Sequence, residues 1–368
     1  MLLQNYELAA MSRILIAVLN WGMGHASRTL PIIEGAIELG WEVDVASTGD
    51  ALIWLKNRLN NTPGVTFFDK PGAVITYSHR FTMLKIATQT PKLLSSISAE
   101  KKWTAKHVKS RSITRIFSDN CYGTFHADVP SVLMTHLLNF PVPPLFRPFS
   151  QLAIRKFASR FTEVWVPDLQ PGPNSLSGIL TSKTIHPKTK FIGILCRLIT
   201  PSNNVHSSSK VLAPLVGLVS GPEPHRTTME NALRKWMIKR GEEGVIIAGK
   251  PGGSTRTDGK IVTLYDPSDK EIAEAICASK ILICRSGYTS LLDLAALNKR
   301  AILIPTPGQR EQEELSGVWS EKFGFATCSQ NDLVNFEIPE ISGKFPSELS
   351  SKVPNKTAMN ELATWLKK

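Results

Sequence analysis

The chain has 368 residues, 42% apolar and 20% charged, which excludes a disordered protein and makes two domains, each able to bury a core, the first expectation. Its formal charge of +12 favours anionic partners: phosphorylated small molecules, nucleic acid or an acidic membrane surface. The five cysteines (Cys121, Cys196, Cys277, Cys284, Cys328) are scattered and show no C-x-x-C spacing, which argues against a disulfide framework or a zinc site and for a reducing compartment.

No apolar run approaches the roughly 18 residues of a membrane-spanning helix, and no basic region precedes an apolar stretch at the N-terminus, so a cytoplasmic protein is expected. Residues 1–11 read as a short extension or a misassigned start. From there, strand-like runs alternate with helical ones, the pattern of an α/β protein with parallel sheets. "RILIAVL" (13–19) is a buried strand, "TLPIIEGAIELG" (29–40) a helix and "EVDVAST" (42–48) a second strand. "GVTFFD" (64–69), "RIFSD" (115–119), "SVLMTH" (131–136) and "EVWVP" (163–167) continue the series, with an irregular, mostly helical region between Arg80 and Arg115.

The second half repeats this theme. Strands are expected at 211–221, 244–249, 280–287 and 300–307, and helices at 228–241, 269–278 and 289–299. "TPSNNVHSSSK" (200–210) has no periodicity and reads as linker. The expected organisation is an α/β domain over 12–195, a linker over 196–210 and a second α/β domain over 211–330. An amphipathic terminal helix, 357–368, is expected to pack back on the first domain. Both domains read as doubly wound and Rossmann-like.

In open α/β sheets ligands bind beyond the carboxyl ends of the strands, and both glycine-rich turns fall there. After the first strand comes "NWGMGHASR" (20–28). Gly22 and Gly24 permit a tight turn and close ligand approach, and the following helix aims its positive end at the turn, where His25 stands. The alternative is a plain chain reversal with a solvated histidine. In the second domain "CRSGYTSLLD" (284–293) is the analogous turn. The amides around Ser286 and Gly287 at a helix start form an anion site, and Arg285 adds positive charge. Asp293 is either a ribose-binding carboxylate or a surface one. The next strand ends in "PTPGQREQEE" (305–314), where Gln309, Gln312 and Glu313 suit sugar hydroxyls or simply favour a helix start.

This combination resembles glycosyltransferase family 28, of the GT-B glycosyltransferases. "GMGH", "CRSGYTSLLD" and "LIPTPGQREQEE" carry the resemblance over about 100 residues of the second half and more sparsely over 13–40. It implies two domains facing a cleft and a nucleotide-sugar donor, of the UDP-sugar kind, as substrate with no cofactor or metal. Arg285, Ser286 and Gly287 would face the diphosphate, Asp293 the ribose, the backbone near Leu264–Tyr265 the base, and Gln312 with Glu313 the sugar. It also implies cell-envelope glycan synthesis, with a glycan or lipid-linked acceptor at the inner face of the membrane. One departure stands out. Where the family has a Gly-Gly-Ser-like loop, this chain has "SGPEPHR" (220–226), whose prolines remove N–H donors. Gly221 remains, and His225 and Arg226 would substitute as charged donors.

An inverting transferase needs one general base for the acceptor hydroxyl, and His25 and Asp119 are the two candidates. His136 reads as a hydrogen-bonded wall residue, and His79 and His107 as solvated. Between Arg80 and Arg115 there are nine Lys or Arg and one acidic residue, Glu100, with Trp103 among them. That strip is either a solvated helix face or a contact for anionic membrane. Competing readings are a nucleotide-sugar hydrolase or 2-epimerase on the same fold, and a non-catalytic binding protein. Nucleic acid is disfavoured, because no aromatic stacking platform or helix-turn-helix signature is present.

Overall fold

The computed structural model describes residues 12–73, 88–198, 212–221, 223–250, 252–339, 349 and 353–368. They fall into two compact units. One takes the residues up to 195 together with 354–368; the other takes those from 196 to 353. His79 and the whole 200–210 stretch lie outside the described residues.

The first unit is a seven-stranded, all-parallel sheet. Its strands are β1 (Arg13–Val18), β2 (Glu42–Ser47), β3 (Val65–Asp69), β4 (Arg115–Asp119), β5 (Ser131–Met134), β6 (Glu163–Val166) and β7 (Thr189–Phe191), in spatial order 3-2-1-4-5-6-7. Strands buried on both faces are continuous apolar runs, as β1 and β5 are. Among the described residues four helices cross between strands: α1 (Met23–Glu38), α2 (Gly49–Arg58), α3 (Thr90–Arg111) and α4 (Arg147–Ala158).

Helix α1 starts six residues earlier than its periodicity indicates and runs through Pro31. The loss of one backbone bond there is offset by a face that buries Ala26, Leu30, Ile32 and Ile33. The terminal helix α9 (Lys356–Leu366) belongs to this unit. Its Trp365 meets Trp165 of β6 edge to face at 5.9 Å, and Met359 fills the space that a Cβ on Gly35 of α1 would need. Helix α3 buries Glu100, Thr104 and His107. His107, expected in solvent, stacks on Trp103 at 4.5 Å and places Nε2 2.9 Å from Asp44.

The second unit has six strands: β8 (Leu215–Val219), β9 (Gly244–Ala248), β10 (Arg256–Asp258), β11 (Ile261–Leu264), β12 (Ile281–Cys284) and β13 (Ile302–Leu303), in order 10-11-9-8-12-13. Only β10 is antiparallel, at one edge. Helices α5 (His225–Arg240), α6 (Asp269–Ala278), α7 (Tyr288–Ala296) and α8 (Arg310–Phe323) connect them. Helix α6 has the expected bounds because its ends are chemically marked. Ser268 and Glu271 form a capping box at its start. Helix α5 ends at Gly241 in the left-handed conformation.

Candidate active site

In each sheet the strand order reverses beside the first strand, between β1 and β4 and between β8 and β12. That switch point opens a crevice at the carboxyl edge. All the glycine-turn candidates lie at these two places.

In the first unit, parallel register sets Asp119, the last residue of β4, against Val18, the last of β1. The chain leaves β1 and turns at Gly22, whose φ of 79° and ψ of 172° belong to a region open in practice to glycine alone. Nothing lies within 4 Å of where a Cβ on Gly22 would stand, so the requirement is conformational. Gly24 is inside the first turn of α1. His25, Arg28 and Thr29 follow at spacings of three and four and therefore share one face of α1.

That face meets Asp119. His25 Nδ1 is 3.1 Å from Oδ1, Arg28 Nε donates to Oδ2 at 2.9 Å, and the Thr29 hydroxyl donates to Oδ2 at 2.8 Å. A second Arg28 nitrogen reaches Oδ1 and also lies 2.9 Å from His25 Nδ1; a third is 3.2 Å from His136 Nδ1. Arg28 and Asp119 are fully buried, while His25 keeps 14% of its side chain exposed. Burial alone would raise the Asp119 pKa, but Arg28 and His25 outweigh it and hold the carboxyl well below its usual range. Burial lowers the His25 pKa; Asp119 opposes this and Arg28 reinforces it, leaving a neutral imidazole at neutral pH.

The two candidate bases of the sequence are thus one assembly. Asp119 is saturated with donors and out of solvent, so it can orient and charge-stabilise His25 but cannot meet a substrate hydroxyl. Arg28 and Thr29 were not singled out from the sequence, although their spacing from His25 was the available signal. His136 is the buried partner of Arg28.

In the second unit the two switch-point turns are Gly221, after β8, and Arg285-Ser286-Gly287, after β12. Register sets Cys284 against Leu218. Gly221 has φ of 103° and open space around it. Arg285 differs from its expected role. It is fully buried, and its guanidinium donates to the carbonyls of Pro305 at 3.2 Å and His225 at 3.0 Å, and to the Gln330 side chain. Burial pushes its pKa down to about 10, so it stays charged at neutral pH, yet its donors tie the ends of β13 and α5 to the turn. The buried Nε has no partner among the described residues.

Ser286 is likewise occupied, donating to the Gln312 carbonyl at 2.8 Å. The Arg285-Ser286-Gly287 turn leads directly into α7. Gly287 caps it without a side-chain bond, and the first amides of a helix have no partner within it. Gln312, expected on sugar hydroxyls, is buried and accepts from the Thr306 amide at 2.8 Å, while the exposed Glu313 accepts from the Gly308 amide at 3.1 Å. Both shape the loop after β13.

Asp293 lies one and a half turns into α7 and is 13% exposed. Cys196 donates to its Oδ1 at 3.1 Å, and an Arg197 nitrogen is 3.9 Å from Oδ2. Burial pushes its pKa up to about 6, against Arg197 and Cys196. His225 is buried at the head of α5. Arg226 pairs with Glu223 and with Glu230, the latter at 3.3 Å, so its charge is already compensated. Tyr265 donates its hydroxyl to Glu230 at 2.9 Å, and its carbonyl accepts from the Lys250 amide at 3.1 Å. The Gly252–Gly253 pair after β9 was missed. A Cβ on Gly253 would come within 2.5 Å of Tyr265, so only glycine lets this loop lie over the end of β11. The Gly-Gly dipeptide at a strand end was the signal. Among the described residues no group of three or more His, Cys, Asp or Glu side chains is placed to hold a metal.

The model of the glycosyltransferase family 28 C-terminal domain matches residues 232–327, which span β9 to β13 and both turns that follow β12 and β13. Residues 232–327 thus carry a glycosyltransferase family 28 C-terminal domain within the second unit. A search of curated proteins by sequence gives no match. Among solved structures, MurG of Acinetobacter baumannii superposes with a TM-score of 0.54 at 12% identity, over 97% of this chain and 100% of that one. Arabidopsis thaliana UGT89C1 complexed with UDP gives 0.64 at 11% identity, over 97% and 100%. Spinosyn rhamnosyltransferase SpnG complexed with thymidine diphosphate gives 0.56 at 13% identity, over 97% and 96%. At such identities the superpositions speak to the fold. They account for the two Rossmann-like units as the fold of GT-B glycosyltransferases.

Proposed function

We propose that the chain moves a sugar from a UDP- or TDP-type nucleotide sugar to an acceptor hydroxyl, with inversion and without a metal or other cofactor. The observation that carries this reading is the His25–Asp119–Arg28 assembly at the switch point of the first sheet. With His25 keeping its Nδ1 proton in a hydrogen bond to the Asp119 carboxylate, Nε2 holds a lone pair for the acceptor O–H. The acceptor oxygen then bonds to the anomeric carbon as the bond from that carbon to the diphosphate oxygen breaks. The proton ends on His25 as an imidazolium facing the Asp119 carboxylate, and the nucleotide diphosphate leaves. Its negative charge is met by the amides at the start of α7 and, through them, by the helix dipole. Asp293 serves the ribose, with Arg285, Ser286 and Gln312 holding the loops that shape the donor pocket. The acceptor is a glycan or a lipid-linked species of the cell envelope.

The test is turnover of a panel of nucleotide sugars by wild type and His25→Ala, with and without chelator, followed as free nucleotide diphosphate and by the anomeric configuration of the product. Rapid donor breakdown without any acceptor would make the protein a hydrolase, and interconversion of the sugar without release would make it an epimerase. Retention of configuration or a requirement for added divalent cation would overturn the mechanism.

A further inference from the structure

Helix α3 buries a polar stripe. Glu100, Thr104 and His107 follow at spacings of four and three and therefore share one face of the helix. His107 is bonded to Asp44 of β2. Glu100 is enclosed with Lys70, the residue after β3. Their side chains are 5% and 1% exposed, and Lys70 Nζ donates to the Glu100 Oε1 at 2.5 Å. The other oxygen, Oε2, accepts from the Gly123 amide at 3.1 Å. A buried ion pair holds a helix no better than apolar side chains of similar volume, so stability alone does not account for this one. What it adds is direction, because a carboxylate held at one oxygen aims the other.

Gly123 belongs to the turn that follows Asp119 at the end of β4. Asn120 takes a φ of 55°, in the left-handed region, and its amide donates to the Met134 carbonyl at 3.1 Å. The Ser118 hydroxyl donates to the Cys121 carbonyl at 2.7 Å, and the Thr124 amide to the same carbonyl at 2.9 Å. These bonds tie the turn to itself and to β5. Glu100 holds it from the helix side. A Cβ on Gly123 would come within 2.3 Å of the Ile97 carbonyl and 2.6 Å of Glu100, so glycine is what lets the turn lie against α3. The direction of the turn matters because the Asp119 carboxylate meets three groups of α1 at once. These are His25 at 3.1 Å, Arg28 at 2.9 Å and Thr29 at 2.8 Å. A displacement of about 1 Å would break such a fit.

We infer that Glu100, held by Lys70, is a positioning residue for Asp119: through the Gly123 amide it fixes the turn that aims the Asp119 carboxylate at His25. Glu100 touches no substrate. Its effect reaches the chemistry through the imidazole tautomer, which is set by the partner of Nδ1. With Asp119 in place, His25 carries its proton on Nδ1 and offers Nε2. With the carboxylate drawn back, Arg28, 2.9 Å from Nδ1, becomes the donor to that nitrogen, and the proton moves to Nε2. The inference rests on the His25–Asp119 assembly of the proposed transfer and adds to it the residues that hold it in register.

Two double variants of the full chain test it, both without the Lys70 charge so that neither strands it. Lys70→Met with Glu100→Gln keeps an oxygen for the Gly123 amide; Lys70→Met with Glu100→Leu keeps the volume and removes that oxygen. The first readout is the His25 tautomer, from the ring-nitrogen shifts of histidine-labelled protein at neutral pH, with the His25 signal assigned by its loss in His25→Ala. It needs no donor or acceptor. The Gln variant should keep the wild-type Nδ1–H form, and the Leu variant should shift toward Nε2–H. The second readout is turnover. It should fall by about ten- to a hundredfold in the Leu variant and by less than about threefold in the Gln variant, with donor affinity unchanged in both. Wild-type tautomer in a folded Leu variant would overturn the inference, and so would equal losses of turnover in the two variants. If the Leu variant does not fold, Glu100→Asp carries the comparison, since it keeps the charge beside Lys70 and draws the oxygens back from Gly123. An unchanged tautomer there would also overturn it. A wild-type protein that transfers no sugar would sink the proposed reaction and leave the tautomer comparison to decide this inference by itself.

Discussion

Both sheets reverse their strand order beside the first strand, and both place an arginine at that point, but the two arginines do different work. Arg28 turns toward a buried carboxylate, Asp119, beside a partly exposed imidazole. Arg285 turns toward backbone carbonyls, and among the described residues no carboxylate is bonded to it. The first arrangement keeps a charge pair inside the protein next to a group that can take a proton. The second uses a buried cation to hold loops in place. A buried charge needs a counter-charge or dipoles around it, and the first unit supplies the former while the second supplies carbonyls to two of the three guanidinium nitrogens.

The sharpest way to break this contrast is at the first pair. His25→Ala should reduce turnover by about 10²–10⁴ with nucleotide affinity nearly unchanged, as read by steady-state kinetics and calorimetry. Asp119→Ala should lose activity to a similar degree and, unlike His25→Ala, destabilise the fold by about 3–5 kcal/mol, because Arg28 is left buried without its partner. A melting temperature unchanged in Asp119→Ala would mean that the pair is not as enclosed as the distances indicate.

Arg285→Met should cost about 2–4 kcal/mol of stability from stranded carbonyls. Nucleotide affinity measured on the remaining folded protein should drop little. A large affinity loss at constant stability would restore the arginine to the phosphate and erase the contrast.

Asp293 gives a pH test. Its pKa of about 6 lies above the ordinary value of 3.8, so the native state holds its proton more tightly than the unfolded chain. Its stabilising contribution is fully present below about pH 4 and is lost as pH rises through about 6. The loss is on the order of 2–3 kcal/mol. Asp293→Asn should therefore show a flatter stability profile between these values than wild type, by denaturant titration, and be the more stable of the two at pH 8. An identical slope in both proteins would refute the assignment.

The smallest effect separates the two glycines of the first turn. Gly22→Ala should cost about 1–3 kcal/mol through its backbone angles alone. Gly24→Ala, inside α1, should be neutral or slightly stabilising in a thermal melt, since alanine is the better helix former.

Much of this molecule follows from local sequence. Apolar runs of four to six residues mark β1, β5, β9 and β12, and marked ends such as Ser268–Glu271 and Gly241 place helix boundaries, because strand burial and capping depend on residues a few positions apart. The glycine turns at the strand ends could be read for the same reason, and with them the two places where chemistry belongs. What local sequence leaves open is which way a side chain turns. His25 and Asp119 are 94 residues apart, and the parallel pairing of β1 with β4 brings them within 3.1 Å, joining two residues that the sequence offers as alternatives into one assembly. Arg285 carries the same charge whether it faces a phosphate or three carbonyls; the closure of β13 and α5 around it selects the carbonyls. Trp103 and Phe149 are both aromatic residues among cations, and packing turns one in and the other out. Composition and periodicity specify elements, while orientation is a property of the partners that the folded chain supplies.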